Sequence, residues 1–175
     1  SVLRSLIRYS ALREAGYRYV MTHSPDERGI DVALLYQRDV FKMLSFQSLP
    51  VKRPRKNNRP TRDILHVSGM LLNHDTLDVF VAHFPSRSGG AKESEPYRIS
   101  AAQCLKDAAD SVYKQRKHPQ IIIMGDFNDY PNNKSVQEIL KAEIPPVTED
   151  SLLPDRLYHL LARKCITNKH FVLTD

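Results

Sequence analysis

The sequence predicts a layered domain of mixed α/β or α+β class, built on antiparallel or mixed sheets, and three observations point there. Pairs of β-branched, aliphatic and aromatic segments separated by turn residues occur twice, within 17–36 and within 64–83. One long segment with helical apolar spacing follows them, and after it comes the short apolar run Ile121-Ile122-Ile123-Met124. Hairpins, a helix, a buried strand and then further helices do not match the strict strand-helix alternation of a parallel fold.

In chain order, Leu3, Leu6, Ile7 and Leu12 share one side of a predicted helix over 1–15, which Gly16 ends as a left-handed cap. Tyr17 to Met21 and Val32 to Tyr36 read as neighbouring strands, with Ser24, Pro25, Asp26 and Gly29 supplying the turn. Ile64 to Leu72 and Leu77 to His83 read as a second hairpin around Asn73-His74-Asp75-Thr76. Pro96 suits the first turn of a helix carrying Ile99, Ala102, Leu105, Ala109 and Val112, which His118-Pro119 stops. Gln120 to Met124 has the pattern of a strand covered on both faces, central in its sheet. Ser135 and Glu138 form a capping box for a short helix that ends at Pro145-Pro146. Leu153, Leu157, Leu160 and Leu161 predict another helix, and Phe171 to Leu173 a closing strand.

The 175 residues, 41% hydrophobic and 26% charged, suit one globular domain or most of one, over 1–175. Apolar runs are too short for a membrane span, and residues 1–30 lack the layout of a secretion signal. Cys104 and Cys165 allow one disulfide at most, which excludes a disulfide scaffold and a four-thiolate zinc site and leaves the compartment open. The net charge of +6 resides in one stretch: residues 52–62 hold Lys52, Arg53, Arg55, Lys56, Arg59 and Arg62 and no acid. That loop is either an arm for the phosphates of a nucleic acid or lipid head group, or a solvated connection between strands. The absence of interleaved aromatic residues favours the connection.

Two strand ends concentrate reactive side chains. Gly125-Asp126-Phe127-Asn128-Asp129 follows the apolar run and offers a carboxylate and a carboxamide two residues apart, oxygen donors suited to a hard cation or to a water awaiting deprotonation. His83-Phe84-Pro85-Ser86-Arg87-Ser88-Gly89-Gly90 ends the earlier hairpin with an imidazole, a hydroxyl, a guanidinium and a glycine-rich turn, a set able to handle an anion. Arg98 reads as an exposed helix arginine, Asp129 as a turn carboxylate, and Asp31 with Arg28 as a simple ion pair.

Taken in order, Leu77-Asp78-Val79-Phe80-Val81-Ala82-His83, the helix with Arg98 near its start, and Ile121-Ile122-Ile123-Met124-Gly125-Asp126-Phe127-Asn128 resemble the endonuclease/exonuclease/phosphatase superfamily, and Arg28 to Tyr36 resembles the family strand before them. The resemblance spans roughly residues 17–140. It implies a four-layer sandwich of two packed mixed or antiparallel sheets flanked by helices, and Mg2+- or Mn2+-dependent hydrolysis of a phosphate ester by in-line attack of water. In that scheme Asp126 orients or deprotonates the water, Asn128 positions the phosphate or a metal-bound water, and the two together hold the metal. His83 stabilises charge on phosphoryl oxygens, while Ser86 and Arg87 line the substrate edge. Such roles suit phosphoryl transfer, which depends on positioning and charge neutralisation.

Two family elements have no counterpart here: an Asn-bearing strand followed by a metal-binding Glu ahead of the matched region, and a closing Ser-Asp-His strand. The expectation is a chain carrying the middle of a larger domain and about half of the site, with poor metal affinity by itself and exposed sheet edges. The expected substrate is a phosphate ester, with nucleic acid as one candidate. A catalytically silent domain that holds anionic partners through residues 52–62 is the other reading.

Overall fold

Along the two central strands, alternate side chains are buried by two different layers. The computed structural model describes residues 2–54, 60–146, 152–153 and 155–160. Its elements are α1 (Val2–Tyr9), β1 (Tyr17–Met21), β2 (Ala33–Gln37), β3 (Phe41–Leu49), β4 (Ile64–Leu71), β5 (Thr76–His83), α2 (Ala91–Gln115), β6 (Ile121–Asp126), β7 (Ala142–Glu143) and β8 (Leu157–Tyr158). A 3-10 turn over Ala11–Arg13 follows α1, and a π-helical turn over Ser135–Ile139 follows β6.

β1 and β2 make a two-stranded antiparallel sheet, and the main sheet runs β3-β4-β5-β6. Its pairings are antiparallel except for β5 with β6, which is parallel. Leu65, Val67, Val79 and Val81 face the β1-β2 hairpin and pack with Val20, Val32 and Phe41. Ile64, Phe80 and Ala82, one position out of phase, pack with Ala101, Ala102, Leu105 and Ala109 of α2. The described residues thus stack as hairpin, sheet and helix, three of the four layers of the sandwich that the resemblance implies. The small alanines let the long helix lie close to the sheet.

Several elements differ from expectation. The first helix breaks at Ser10, whose hydroxyl donates to the Leu6 carbonyl and accepts from the Leu12 N–H, so a 3-10 turn replaces the last α-turns. None of the residues of α1 is buried. α2 starts at Ala91, not Pro96, which stands in the helix's second turn. β3 went unpredicted because its exposed edge carries polar residues among the apolar ones, with a bulge between Met43 and Ser45.

Among the described residues β6 lies at the edge of the main sheet, not at its centre. Ile121 and Ile123 pack toward α2, whereas Ile122 and Met124 alternate to the other face and stay 44% and 40% exposed. No capping box forms at Ser135. The residue before it already has helical dihedrals, Ser135 gives its hydroxyl to Asp129, and the turn is closed by the Leu140 N–H on the Ser135 carbonyl. At 157–158 a short strand pairs with β7 in place of the predicted helix. Leu161, Cys165, the 171–173 strand and residues 55–59 of the basic loop lie outside the described residues.

Candidate active site at the ends of β5 and β6

The parallel ladder ends with His83 opposite Asp126, so two segments 43 positions apart deliver an imidazole and a carboxylate to one place. His83 Nε2 lies 4.0 Å from Asp126 Oδ2. The strands approach this closely because residue 125 is glycine: at φ 133° a Cβ there would lie 1.8 Å from the Ala82 carbonyl oxygen. Past the ladder, the Phe84 N–H donates to the Asp126 carbonyl at 2.8 Å.

Asn128 takes a left-handed φ of 50°, which brings its N–H within 2.8 Å of Asp126 Oδ1. Its Nδ2 donates to the Phe84 carbonyl at 2.9 Å, which fixes the carboxamide. Phe84 is buried and meets Phe127 edge to face at 5.0 Å, so the loops after β5 and β6 share one anchor. The three residues expected in the chemistry, His83, Asp126 and Asn128, are therefore together.

A further cation joins them that the sequence placed in a solvated loop. Arg62 is 3% exposed; its Nη2 donates to the Phe84 carbonyl at 3.0 Å and its Nη1 faces Asp26 Oδ2 at 3.4 Å. Its Nε is buried without a partner among the described residues. Burial pushes the Asp26 carboxyl up, but hydrogen bonds and charge from Arg28, together with the charge of Arg62, hold it below its ordinary value. Burial lowers the proton affinity of His83, and the Arg62 charge lowers it further against the opposing pull of Asp126, so the imidazole is held neutral. An arginine beside the strand start at Asp63-Ile64-Leu65 was the only signal in the sequence, and the neighbouring basic residues masked it.

An open cleft of about 610 Å3 adjoins Arg62 and is lined by Asp26, Arg28, Thr61, Ser86 and Ser88 among others. Ser86 thus reaches this cleft, while His83, Asp126 and Asn128 stand outside its lining. Arg28 pairs with Asp26 at 3.4 Å, not with Asp31, which accepts from Thr22 Oγ1 and the Ser24 N–H.

Arg87 and Asp129 meet at 3.7 Å, and the Arg87 guanidinium lies 5.2 Å from the centre of the Tyr130 ring. Arg98 is no exposed helix arginine and Asp129 no solvated turn residue. Both side chains are 2% exposed and they pair at 2.8 Å. Ser94, one turn earlier, makes this burial possible by accepting from Arg98 Nη1 at 2.7 Å, while the Ala91 carbonyl accepts from Nη2 at 2.9 Å.

Among the described residues, no group of three or more His, Cys, Asp or Glu converges as a metal cage. The exposed carboxylate of Asp126 and the carboxamide oxygen of Asn128 are hard oxygen donors. They suit an ion such as Mg2+, which keeps several of its waters and takes one or two protein carboxylates.

Residues 1–167 match the model of the endonuclease/exonuclease/phosphatase family. No curated protein matches in sequence. The fold is similar to that of the human Nocturnin catalytic domain with bound sulfate (TM-score 0.59, 16% identity, 75% of this chain and 51% of that one). It is similar also to ANGEL2, a 2',3'-cyclic phosphatase (0.58, 18%, 79% and 40%), and to truncated Caenorhabditis elegans TDP2 (0.58, 16%, 78% and 49%). The chain spans about half the length, or less, of these solved proteins. A family match over nearly the whole chain, with His83, Asp126 and Asn128 assembled at adjoining strand ends, makes the chain a member of the endonuclease/exonuclease/phosphatase family.

Proposed function

We propose that this chain carries part of the active site of a metal-dependent phosphoesterase that cleaves a phosphodiester, as a nuclease does, or a phosphomonoester. The pairing of His83 with Asp126 at the end of the parallel ladder, with Asn128 tied to the same loops, is the observation behind this reading. The named activity of ANGEL2 on a 2',3'-cyclic phosphate and the sulfate bound to Nocturnin, both anionic tetrahedral groups, are in keeping with it.

Asp126 is 65% exposed in its side chain and available to accept a proton from an attacking water. His83, kept neutral by burial and Arg62, donates a hydrogen bond to a phosphoryl oxygen without adding a second full charge. Arg62 supplies a fixed positive charge beside both groups, preorganised by Asp26 and the Phe84 carbonyl. Asn128 orients the phosphate, and Ser86 and Arg87 hold its outer edge. Asp126 and Asn128 would hold Mg2+ or Mn2+, which supplies Lewis-acid polarisation of the phosphoryl group.

The test is hydrolysis of bis-p-nitrophenyl phosphate and of plasmid DNA by the full-length protein, with magnesium, with manganese and with chelator. Metal-dependent turnover that falls by about 10²- to 10⁴-fold in Asp126→Ala and in His83→Ala is the expected result. A folded protein that turns over neither substrate with either metal, yet binds polyanions in a salt-sensitive way, would instead be a silent scaffold working through residues 52–62.

A further inference from the structure

We propose that Asp129, held between Arg98 and Ser135, is a positioning residue that sets the Arg87 guanidinium to receive a phosphate oxygen at the rim of the site. This rests on the phosphoesterase reading above. A buried carboxylate needs a compensating cation and hydrogen bonds. Asp129 has both on one oxygen: Arg98 Nε at 2.8 Å and the Ser135 hydroxyl at 2.7 Å, each on Oδ2. Arg98 is in turn locked to Ser94 and to the Ala91 carbonyl, so the charge of Asp129 is balanced without Arg87 while its Oδ1 still lacks a hydrogen-bond donor among the described residues.

The cluster therefore sets two guanidinium groups against one carboxylate and leaves one positive charge over. That surplus belongs to Arg87, whose side chain is 36% exposed while those of Arg98 and Asp129 are sealed at 2%. Arg87 Nε and Asp129 Oδ1 are both buried, both without a hydrogen-bond partner among the described residues, and 3.7 Å apart. The Tyr130 ring meets the guanidinium at 5.2 Å and limits how it turns. A guanidinium aligned by its Nε edge keeps its terminal N–H fork for an anion, the geometry in which arginine grips phosphate.

The pair also links the two loops of the site. Arg87 lies four residues after His83, and Asp129 follows Asn128 directly. Closing the gap between Nε and Oδ1 to a hydrogen bond would draw the two loops together around the same phosphate.

Arg87→Ala in the full-length protein is expected to raise KM for bis-p-nitrophenyl phosphate by about ten- to a hundredfold, with kcat little changed and Tm unaltered, because Asp129 keeps Arg98. Ser135→Ala, which removes one of the two groups holding Asp129 Oδ2 and leaves its charge, should raise KM severalfold in the native background and not at all in the Arg87→Ala background. Asp129→Asn should behave like Ser135→Ala, with a larger effect. An Arg87→Ala protein with native KM and a lowered Tm would mean that Arg87 merely neutralises the cluster, and would overturn the proposal. So would a Ser135→Ala penalty that persists without Arg87. Inorganic phosphate binding by calorimetry, run on the same variants, separates the two readings. Phosphate binding that needs Arg87 and Ser135 in a protein without turnover would sink the hydrolase and keep the anion site.

Discussion

Gly125 shows what one residue contributes at the site. A methyl group there would run into the Ala82 carbonyl of the neighbouring strand, and the dihedral itself is one that side-chain-bearing residues rarely adopt. Gly125→Ala is expected to destabilise the fold by about 3 kcal/mol or more, measured by urea unfolding, and to disturb His83 and Asp126 together. His83 has a pH signature of its own. Its proton affinity in the fold is below the ordinary value of 6.5, so the unfolded chain binds the proton first as pH falls. Stability from this group is complete above that ordinary value and is lost progressively as pH falls below it. A His83→Gln variant should therefore show a flatter dependence of ΔG on pH below about 6.5, followed by denaturant melts across that range.

Among elements, α2 is fastened at both ends by buried polar clusters. Its start carries Arg98 and Ser94; just past its end, Arg116 donates to Asp78, a fully buried carboxylate on β5. Ser68 and His66 also donate to Asp78, and His66, which accepts from Gln47 at Nδ1, stacks on Phe80. Ser, His and Asp meet here without forming a nucleophilic triad, because Ser68 and Asp78 address the same ring nitrogen. Burial pushes the Asp78 carboxyl up, but hydrogen bonds from Arg116, Ser68 and His66 hold it below its ordinary value of 3.8. Its stabilisation is present above that value and lost as pH falls through the lower, folded one. Arg116→Met, which leaves the buried carboxylate short of a cation, should cost about 2 kcal/mol, a figure discounted for the exposed side of Arg116. Asp78→Asn should cost less, since Arg116 can turn to water. Thermal melts of the two variants check the order.

At the scale of the molecule, the main sheet ends at β6 with an edge unpaired among the described residues and with Ile122 and Met124 exposed beside it. Such an edge invites pairing with another chain. The 175-residue chain is expected to self-associate as its concentration rises, and Ile122→Lys with Met124→Thr to reduce this, as sedimentation velocity would show. No helix among the described residues is long and apolar enough to cross a membrane.

Both hairpins, the long helix and the strand-end motifs that carry His83, Asp126 and Asn128 are legible in the amino-acid sequence, because alternation, turn residues and strand-terminal motifs are local properties of the chain. β3 is not, since an edge strand need not alternate cleanly when one rim faces water. Arg62, Arg98 and Asp129 are legible only as charges. Whether a charge is solvated or sealed depends on which distant atoms surround it: the Phe84 carbonyl for Arg62, Ser94 and Asp129 for Arg98, Ser135 for Asp129. Local patterning thus dictated the two hairpins, the long helix and the strand-end motifs. Burial of the charges that hold and tune the site is a long-range property, and the packing of α2 and the loops against the main sheet decided it.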